Sequence, residues 1–172
     1  IKGFTTNPSL MKKKGVSEYK KFALEVLKIT KDKPVSFEIF ADEIDEMEKQ
    51  AIEISKWGEN INVKIPITNT NGETTKHLIK KLSDKNIICN VTAILTTEQL
   101  KGIVEVLNPN TPAILSVFAG RIADTGVNPI PVIKESVIIA KEKPLVDILW
   151  ASTREVYNIF QADEIGCQII TV

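Results

Sequence analysis

The stretch Asn62-Val63-Lys64-Ile65-Pro66-Ile67-Thr68 reads as a short apolar β-strand with one ammonium group at its centre. Side chains of an extended chain alternate between faces. Val63, Ile65 and Ile67 therefore share one face, suited to helices packed on it, while Lys64 shares the other with Asn62 and Pro66. The strand alone leaves two accounts of Lys64 open. Exposed sheet edges often carry lysine, which blocks unwanted strand pairing. A lysine held inside a sheet or barrel is instead desolvated, which disfavours its charged form. The neutral amine is then a nucleophile for carbonyls.

The flanking sequence supplies an interior for Lys64 to face. Before it, Phe4 to Asn7 reads as a strand entering a turn at Asn7-Pro8. Val16 to Ile29 is helical, with Tyr19, Phe22, Ala23, Val26 and Leu27 at helical spacing. Val35 to Ala41 is a strand, and Asp42 to Trp57 a helix with Asp42 available as its cap. After it, Asn71-Gly72 marks a turn and Glu73 to Leu82 a helix. Ile87 to Leu95 is a strand, Thr97 to Leu107 a helix, and Ala113 to Phe118 a strand. Ala119 to Asn128 reads as a loop and Ile133 to Lys141 as a helix. Leu145 to Ser152 is a strand, Thr153 to Gln161 a helix, and Cys167 to Val172 a last strand.

Strand–helix alternation argues for a parallel sheet with crossover helices. No Gly-x-Gly-x-x-Gly turn follows any strand, which speaks against an open dinucleotide-binding sheet. The expectation is an α/β chain forming one (β/α)₈ barrel domain over residues 1–172. Seven strands are legible where such a barrel has eight. The first strand and last helix of the barrel are expected to lie outside the sequence.

The composition is ordinary for one domain: 172 residues, 43% hydrophobic and 26% charged. Basic and acidic residues balance at 22 each, so nothing advertises nucleic acid or an anionic membrane as partner. No apolar run approaches a membrane span. Cys89 and Cys167 lie in strand-like runs without ligand or disulfide spacing, as expected of reduced thiols in a cytoplasmic protein. Only Arg121 and Arg154 are arginine, so each needs its own reason.

In a barrel, the site forms where the strands' carboxyl ends meet the βα loops. The residues on the polar side of each strand are Thr5 and Asn7, Glu38, Lys64, Asn90 and Thr92, Ser116 and Phe118, and Ser152. Each alone is ordinary, since such residues often serve turns or caps. Together they place one amine, one carboxylate and several hydroxyl or amide groups in one pocket, which suits a Schiff-base enzyme. Arg121 and Arg154 follow neighbouring strands, with Ser152 at a predicted helix N-terminus. They form a phosphate clamp, or else surface pairs of Arg121 with Asp124 and of Arg154 with Glu155 or Asp163. His77, the single histidine, lies on a lysine-rich helix face and reads as solvated. No acidic or Cys/His cluster suggests a metal.

Five segments resemble the transaldolase family, most closely its short branch, which includes fructose-6-phosphate aldolases. They are Gly3-Phe4-Thr5-Thr6-Asn7-Pro8-Ser9, Val63-Lys64-Ile65-Pro66, Asn90-Val91-Thr92-Ala93, Phe118-Ala119-Gly120-Arg121-Ile122 and Ala151-Ser152-Thr153-Arg154. The resemblance implies a (β/α)₈ barrel without cofactor or metal, in which Lys64 forms a Schiff base with a ketose phosphate. It implies that Glu38 and Thr92 serve the water that moves protons. Asn7, Asn90 and Ser116 would bind the dihydroxyacetone part, Thr5 and Phe118 would also meet the substrate, and Arg121, Arg154 and Ser152 would hold the phosphate. It also implies sugar-phosphate substrates of the pentose phosphate pathway, a cytoplasmic location, and a homo-oligomer, pentamer or decamer.

The aldolase branch resembles this chain but tends to carry Gln in place of Glu38 and Tyr in place of Phe118, which favours transfer over cleavage here. A cleaving aldolase and a non-catalytic sugar-phosphate-binding barrel remain the alternatives. No residue matches the family's first-strand aspartate, and Val117 stands where the family usually has proline.

Overall fold

The computed structural model describes residues 1–13, 15 and 18–172. Its elements are β1 (Phe4–Thr5), α1 (Pro8–Lys13), α2 (Tyr19–Thr30), β2 (Val35–Glu38), α3 (Ile44–Ile54), β3 (Ile61–Pro66), α4 (Lys76–Asp84) and β4 (Cys89–Ile94). They continue with α5 (Thr97–Val106), β5 (Ala113–Phe118), α6 (Ala119–Asp124), α7 (Pro129–Ala140), β6 (Val146–Ala151), α8 (Tyr157–Glu164) and β7 (Ile169–Ile170). The strands form one parallel sheet in the order β1-β2-β3-β4-β5-β6-β7.

The sheet curls, and side chains reveal the curl. Neighbouring strands lie about 4.8 Å apart, so β2 and β4, with β3 between them, would stand nearly 10 Å apart if flat. Yet Asn90 Nδ2 on β4 donates to Ser36 Oγ on β2 across 2.9 Å. Two such short side chains meet only over a strongly concave face. The sheet with its alternating helices is thus part of a (β/α)₈ barrel, as the strand–helix rhythm predicts.

The convex face carries the core. Val63, Ile65 and Ile67 are all but inaccessible to solvent and join Met47, Ala51 and Ile54 of α3 and Leu78, Ile79 and Leu82 of α4 in one apolar cluster. Each such side chain contributes about 1.5–3 kcal/mol by leaving water. Polar Ser36, Glu38, Asn62, Lys64, Asn90, Thr92 and Ser116 alternate with these along the same strands. In β4 the register slips between Val91 and Ile94 against β5, and Ala93 takes φ of +61°. This bulge returns Ile94 to the core in line with Val117, just past the inward Thr92.

Several boundaries differ from the sequence reading. The first helix was expected from Val16, which lies outside the described residues; α2 begins at Tyr19. Asn7-Pro8 does not simply turn, because Pro8 opens α1, where its fixed φ and missing N–H are tolerated. Asp42 does not cap α3: Glu43 holds that position without a side-chain bond, and the Asp42 carboxylate accepts instead from Thr70 N (2.9 Å) and the Thr70 hydroxyl. The helix expected from Glu73 starts at Lys76.

Ala119 to Asn128 is not all loop, since its first half winds into α6. The helix expected from Ile133 begins at Pro129, with Asn128 Oδ1 accepting from Ile130 N (3.0 Å). The helix expected from Thr153 begins only at Tyr157, because the Asn158 carboxamide takes the N–H groups of Arg154 (2.9 Å) and Glu155 (3.2 Å) into a turn. Ser152 is therefore not at a helix N-terminus. Among the described residues, no helix is long and apolar enough to cross a membrane.

Candidate active site

Lys64 lies in the middle of the sheet, on a strand bonded on both sides, and is 8% exposed. The edge-strand account of this lysine therefore fails. Its Nζ stands 3.0 Å from Glu38 Oε2 and donates to the Thr6 carbonyl at 3.1 Å. The register aligns Glu38 with Lys64, so one rung of the ladder carries both members of the pair. The Lys64–Glu38 contact is an ion pair whose angle misses hydrogen-bond geometry, and buried Glu38 Oε2 has no aligned donor.

Thr92 is aligned with Pro66, past Lys64 toward the carboxyl end of the sheet. Its Oγ1 is buried and has no hydrogen-bond partner among the described residues. A hydroxyl so placed is free to bond a water or a bound molecule. Beside it, Asn90 is fixed at both ends of its amide: Nδ2 donates to Ser36 Oγ (2.9 Å) and Oδ1 accepts from Ser116 Oγ (2.7 Å). One N–H of Asn90 remains for a further acceptor. Phe118, half-buried, ends β5 two residues beyond Ser116 on the same face.

The first strand contributes less firmly. Thr5 pairs with Ser36 and so shares the concave face, but Thr5 and Asn7 are both exposed. Thr6, which lies in the first of the five segments but carries no role in the sequence reading, reaches Lys64 through its carbonyl. Tyr19, read only as an apolar helix position, donates its phenol proton to the Glu38 carbonyl at 2.8 Å. Its ring meets Phe37, Phe40 and Trp57 edge-on, with centroids 6.1, 4.6 and 5.4 Å away. Burial pushes this phenol up to about 12, against a weaker lowering by Thr6.

The two arginines meet at one carboxylate. Asp124 Oδ2 lies 2.5 Å from Arg154 Nη2 and 3.7 Å from Arg121 Nη1. The expected Arg121–Asp124 pair is present, whereas Arg154 turns to Asp124 rather than to Glu155 or Asp163. The Arg121 side chain remains 65% exposed and that of Arg154 46%. The loop that carries Arg154 is pressed against α6: a methyl group at Gly120 would sit 1.9 Å from Ser152 O. Ser152 itself adopts φ of +62°, a left-handed conformation that costs a non-glycine residue about 1–2 kcal/mol. His77 is exposed on α4, as its surroundings suggest.

Seven parallel strands present a buried amine, a carboxylate, amides and hydroxyls on one concave face, with Arg121 on α6 and Arg154 on the loop after β6 beyond it. That combination marks an enzyme of the aldolase type. The chain belongs to the transaldolase/fructose-6-phosphate aldolase family, whose pattern matches residues 1–172. It is 36% identical over 174 aligned positions to a probable transaldolase of Dehalococcoides mccartyi, covering 100% of this chain and 76% of the relative. A probable transaldolase of Clostridium kluyveri matches at 36% with the same coverage. One from Thermoplasma volcanium matches at 32%, covering 100% of this chain and 74% of the relative.

Proposed function

We propose that the chain is a transaldolase that carries a dihydroxyacetone unit between sugar phosphates of the pentose phosphate pathway through a Schiff base on Lys64. The observation that carries this reading is the buried Lys64–Glu38 pair at 3.0 Å on the concave face. In the proposed sequence, the Lys64 amine attacks the keto carbon of fructose 6-phosphate. The carbinolamine loses water to give the iminium ion, with Glu38 and the Thr92 hydroxyl handling the proton and the departing water. As the C4 hydroxyl loses its proton to water, the C3–C4 bond breaks; glyceraldehyde 3-phosphate leaves, and the electron pair passes to the iminium to give an enamine of three carbons. The enamine carbon then bonds to the aldehyde carbon of an acceptor such as erythrose 4-phosphate, and hydrolysis frees sedoheptulose 7-phosphate and Lys64.

In this scheme Thr5, Asn7, Asn90 and Ser116 receive the hydroxyls of the dihydroxyacetone part. Asn90 suits that role because its amide is already oriented by Ser36 and Ser116. Arg121, Arg154 and Ser152 hold the phosphate, which would compete with Asp124 for the two guanidinium groups. Two free cysteines, Cys89 and Cys167, fit a cytoplasmic setting.

Borohydride reduction in the presence of fructose 6-phosphate tests the chemistry. A three-carbon mass on the peptide containing Lys64 is expected, and its absence would refute covalent catalysis. The second reading is a cleaving aldolase with the same Schiff base, and Phe118 argues against it because a phenyl ring cannot protonate the enamine. Free dihydroxyacetone accumulating without an acceptor would sink the transferase reading in its favour.

A further inference from the structure

We propose that Thr6, backed by Tyr19, is a positioning residue that aims the Lys64 amine through a rerouted backbone carbonyl. The inference rests on reading Lys64 as the Schiff-base nucleophile.

The β1–β2 ladder is regular up to Thr6: Phe4 N donates to Pro34 O at 2.9 Å and Thr6 N to Ser36 O at 2.9 Å. In a continuing parallel ladder, the next rung would run from Glu38 N to the Thr6 carbonyl. It does not. Glu38 N donates to Thr6 Oγ1 at 3.3 Å, so the side-chain hydroxyl stands in for the carbonyl. That hydroxyl donates its own proton to Ser36 O at 3.1 Å. The Thr6 carbonyl, released from the sheet, accepts from Lys64 Nζ at 3.1 Å.

The consequence falls on the amine. A lysine stem has four rotatable bonds, and one ion pair leaves its head free to swing. Two oxygens, Glu38 Oε2 as an ion-pair partner at 3.0 Å and Thr6 O as a hydrogen-bond acceptor at 3.1 Å, define its place. Glu38 is itself pinned at both ends of its backbone, with its N–H on Thr6 Oγ1 and its carbonyl on the Tyr19 phenol at 2.8 Å. Threonine supplies the two features this requires: a hydroxyl that both donates and accepts, and a β-branched stem with few χ1 choices. With valine at this position, Glu38 N would reclaim the backbone carbonyl, and Lys64 would lose the acceptor it donates to, keeping only its ion pair.

The test compares Thr6→Val, Thr6→Ser and Tyr19→Phe with the wild-type chain. The readouts are the single-turnover rate of borohydride-trapped adduct at Lys64 with fructose 6-phosphate, and the steady-state kcat and KM. Displacing a reacting group by about 1 Å costs up to about a hundredfold, so Thr6→Val should slow trapping and kcat by at least about tenfold. KM should stay within about twofold, because the change touches the amine's aim and not the hydroxyl or phosphate contacts. Thr6→Ser, which keeps the hydroxyl, should recover most of the rate. Tyr19→Phe keeps the ring contacts and should slow trapping by about threefold or more.

Wild-type rates in Thr6→Val would overturn the inference, as would a loss in Thr6→Ser equal to that in Thr6→Val. If Thr6→Val does not fold, Tyr19→Phe carries the test, and an unchanged trapping rate there overturns the inference as well. A wild-type chain that forms no adduct at Lys64 would instead overturn the Schiff-base reading itself, a result distinct from any variant effect.

Discussion

Replacing Gly120 by alanine adds a single methyl group at the seam between α6 and the loop that carries Arg154. The new Cβ would stand 1.9 Å from Ser152 O, 2.5 Å from Arg154 Nε and 2.9 Å from Ser152 Oγ. Real Cβ atoms essentially never come within 3.0 Å of such neighbours, so the loop must withdraw by about 1.1 Å. The nearest atom belongs to the backbone and cannot rotate aside, and Ser152 already holds φ of +62°. Overpacking of this kind costs about 1–3 kcal/mol. For a chain of this size, about 2 kcal/mol lowers Tm by about 4–8 °C.

The same displacement carries the Arg154 guanidinium off its place beside Asp124 and Arg121. Selectivity for a phosphorylated ketose should then fall by about tenfold or more. Thermal unfolding, combined with the ratio of kcat/KM for fructose 6-phosphate to that for fructose, measures both effects. An unchanged Tm would refute the packing argument. A lowered Tm with an unchanged ratio would refute the phosphate role of this loop.

Lys64→Met should lower stability by about 3–5 kcal/mol, because it leaves the buried Glu38 carboxylate without its partner; Lys64→Met with Glu38→Leu should recover most of that loss. Urea titration of the three variants decides it, and a double variant no more stable than Lys64→Met would contradict the buried-pair account. The hydrogen bonds from the Thr70 hydroxyl and N–H hold the Asp42 carboxyl below its usual range. A depressed folded value contributes stability above the unfolded pKa, near pH 4, that is lost as pH falls through the folded one. Wild type should therefore exceed Asp42→Asn in stability at neutral pH, and the difference should close on acidification. A difference independent of pH would assign the effect to something other than this carboxylate. Burial pushes the Cys89 thiol up to about 12. Half-buried Cys167 should therefore react first with iodoacetamide at pH 8, and early labelling of Cys89 in the native protein would show that α4 and α5 open locally.

What the sequence made legible, and what it hid, divides along a physical line. Alternation along β3 was enough to separate Val63, Ile65 and Ile67 from Lys64, because side-chain direction in a strand follows from parity alone. Strand–helix rhythm then supplied the interior, and the curl brought Glu38, Asn90 and Ser116 onto one face, as their strand positions suggested. The same parity failed at Ala93, where a bulge with positive φ resets the pattern and no glycine announces it. The capping pattern failed more instructively at Asp42. A carboxylate before a helix has two uses, and the competing donors of Thr70 belong to a loop that only the folded sheet brings near.

The pairing of Arg154 with Asp124 is hidden in the same way, since 30 residues separate them in the chain. Thr6 is the limiting case. The role proposed for it lies in where its carbonyl points, and every residue has a carbonyl. What distinguishes this one is the hydroxyl that releases it from the ladder, which only the ring of contacts among Thr6, Ser36, Glu38 and Lys64 makes visible. Side-chain chemistry at strand ends can therefore locate a barrel site from sequence. The backbone geometry proposed to aim Lys64 cannot be read that way, because it depends on which donor wins each acceptor after the strands have paired.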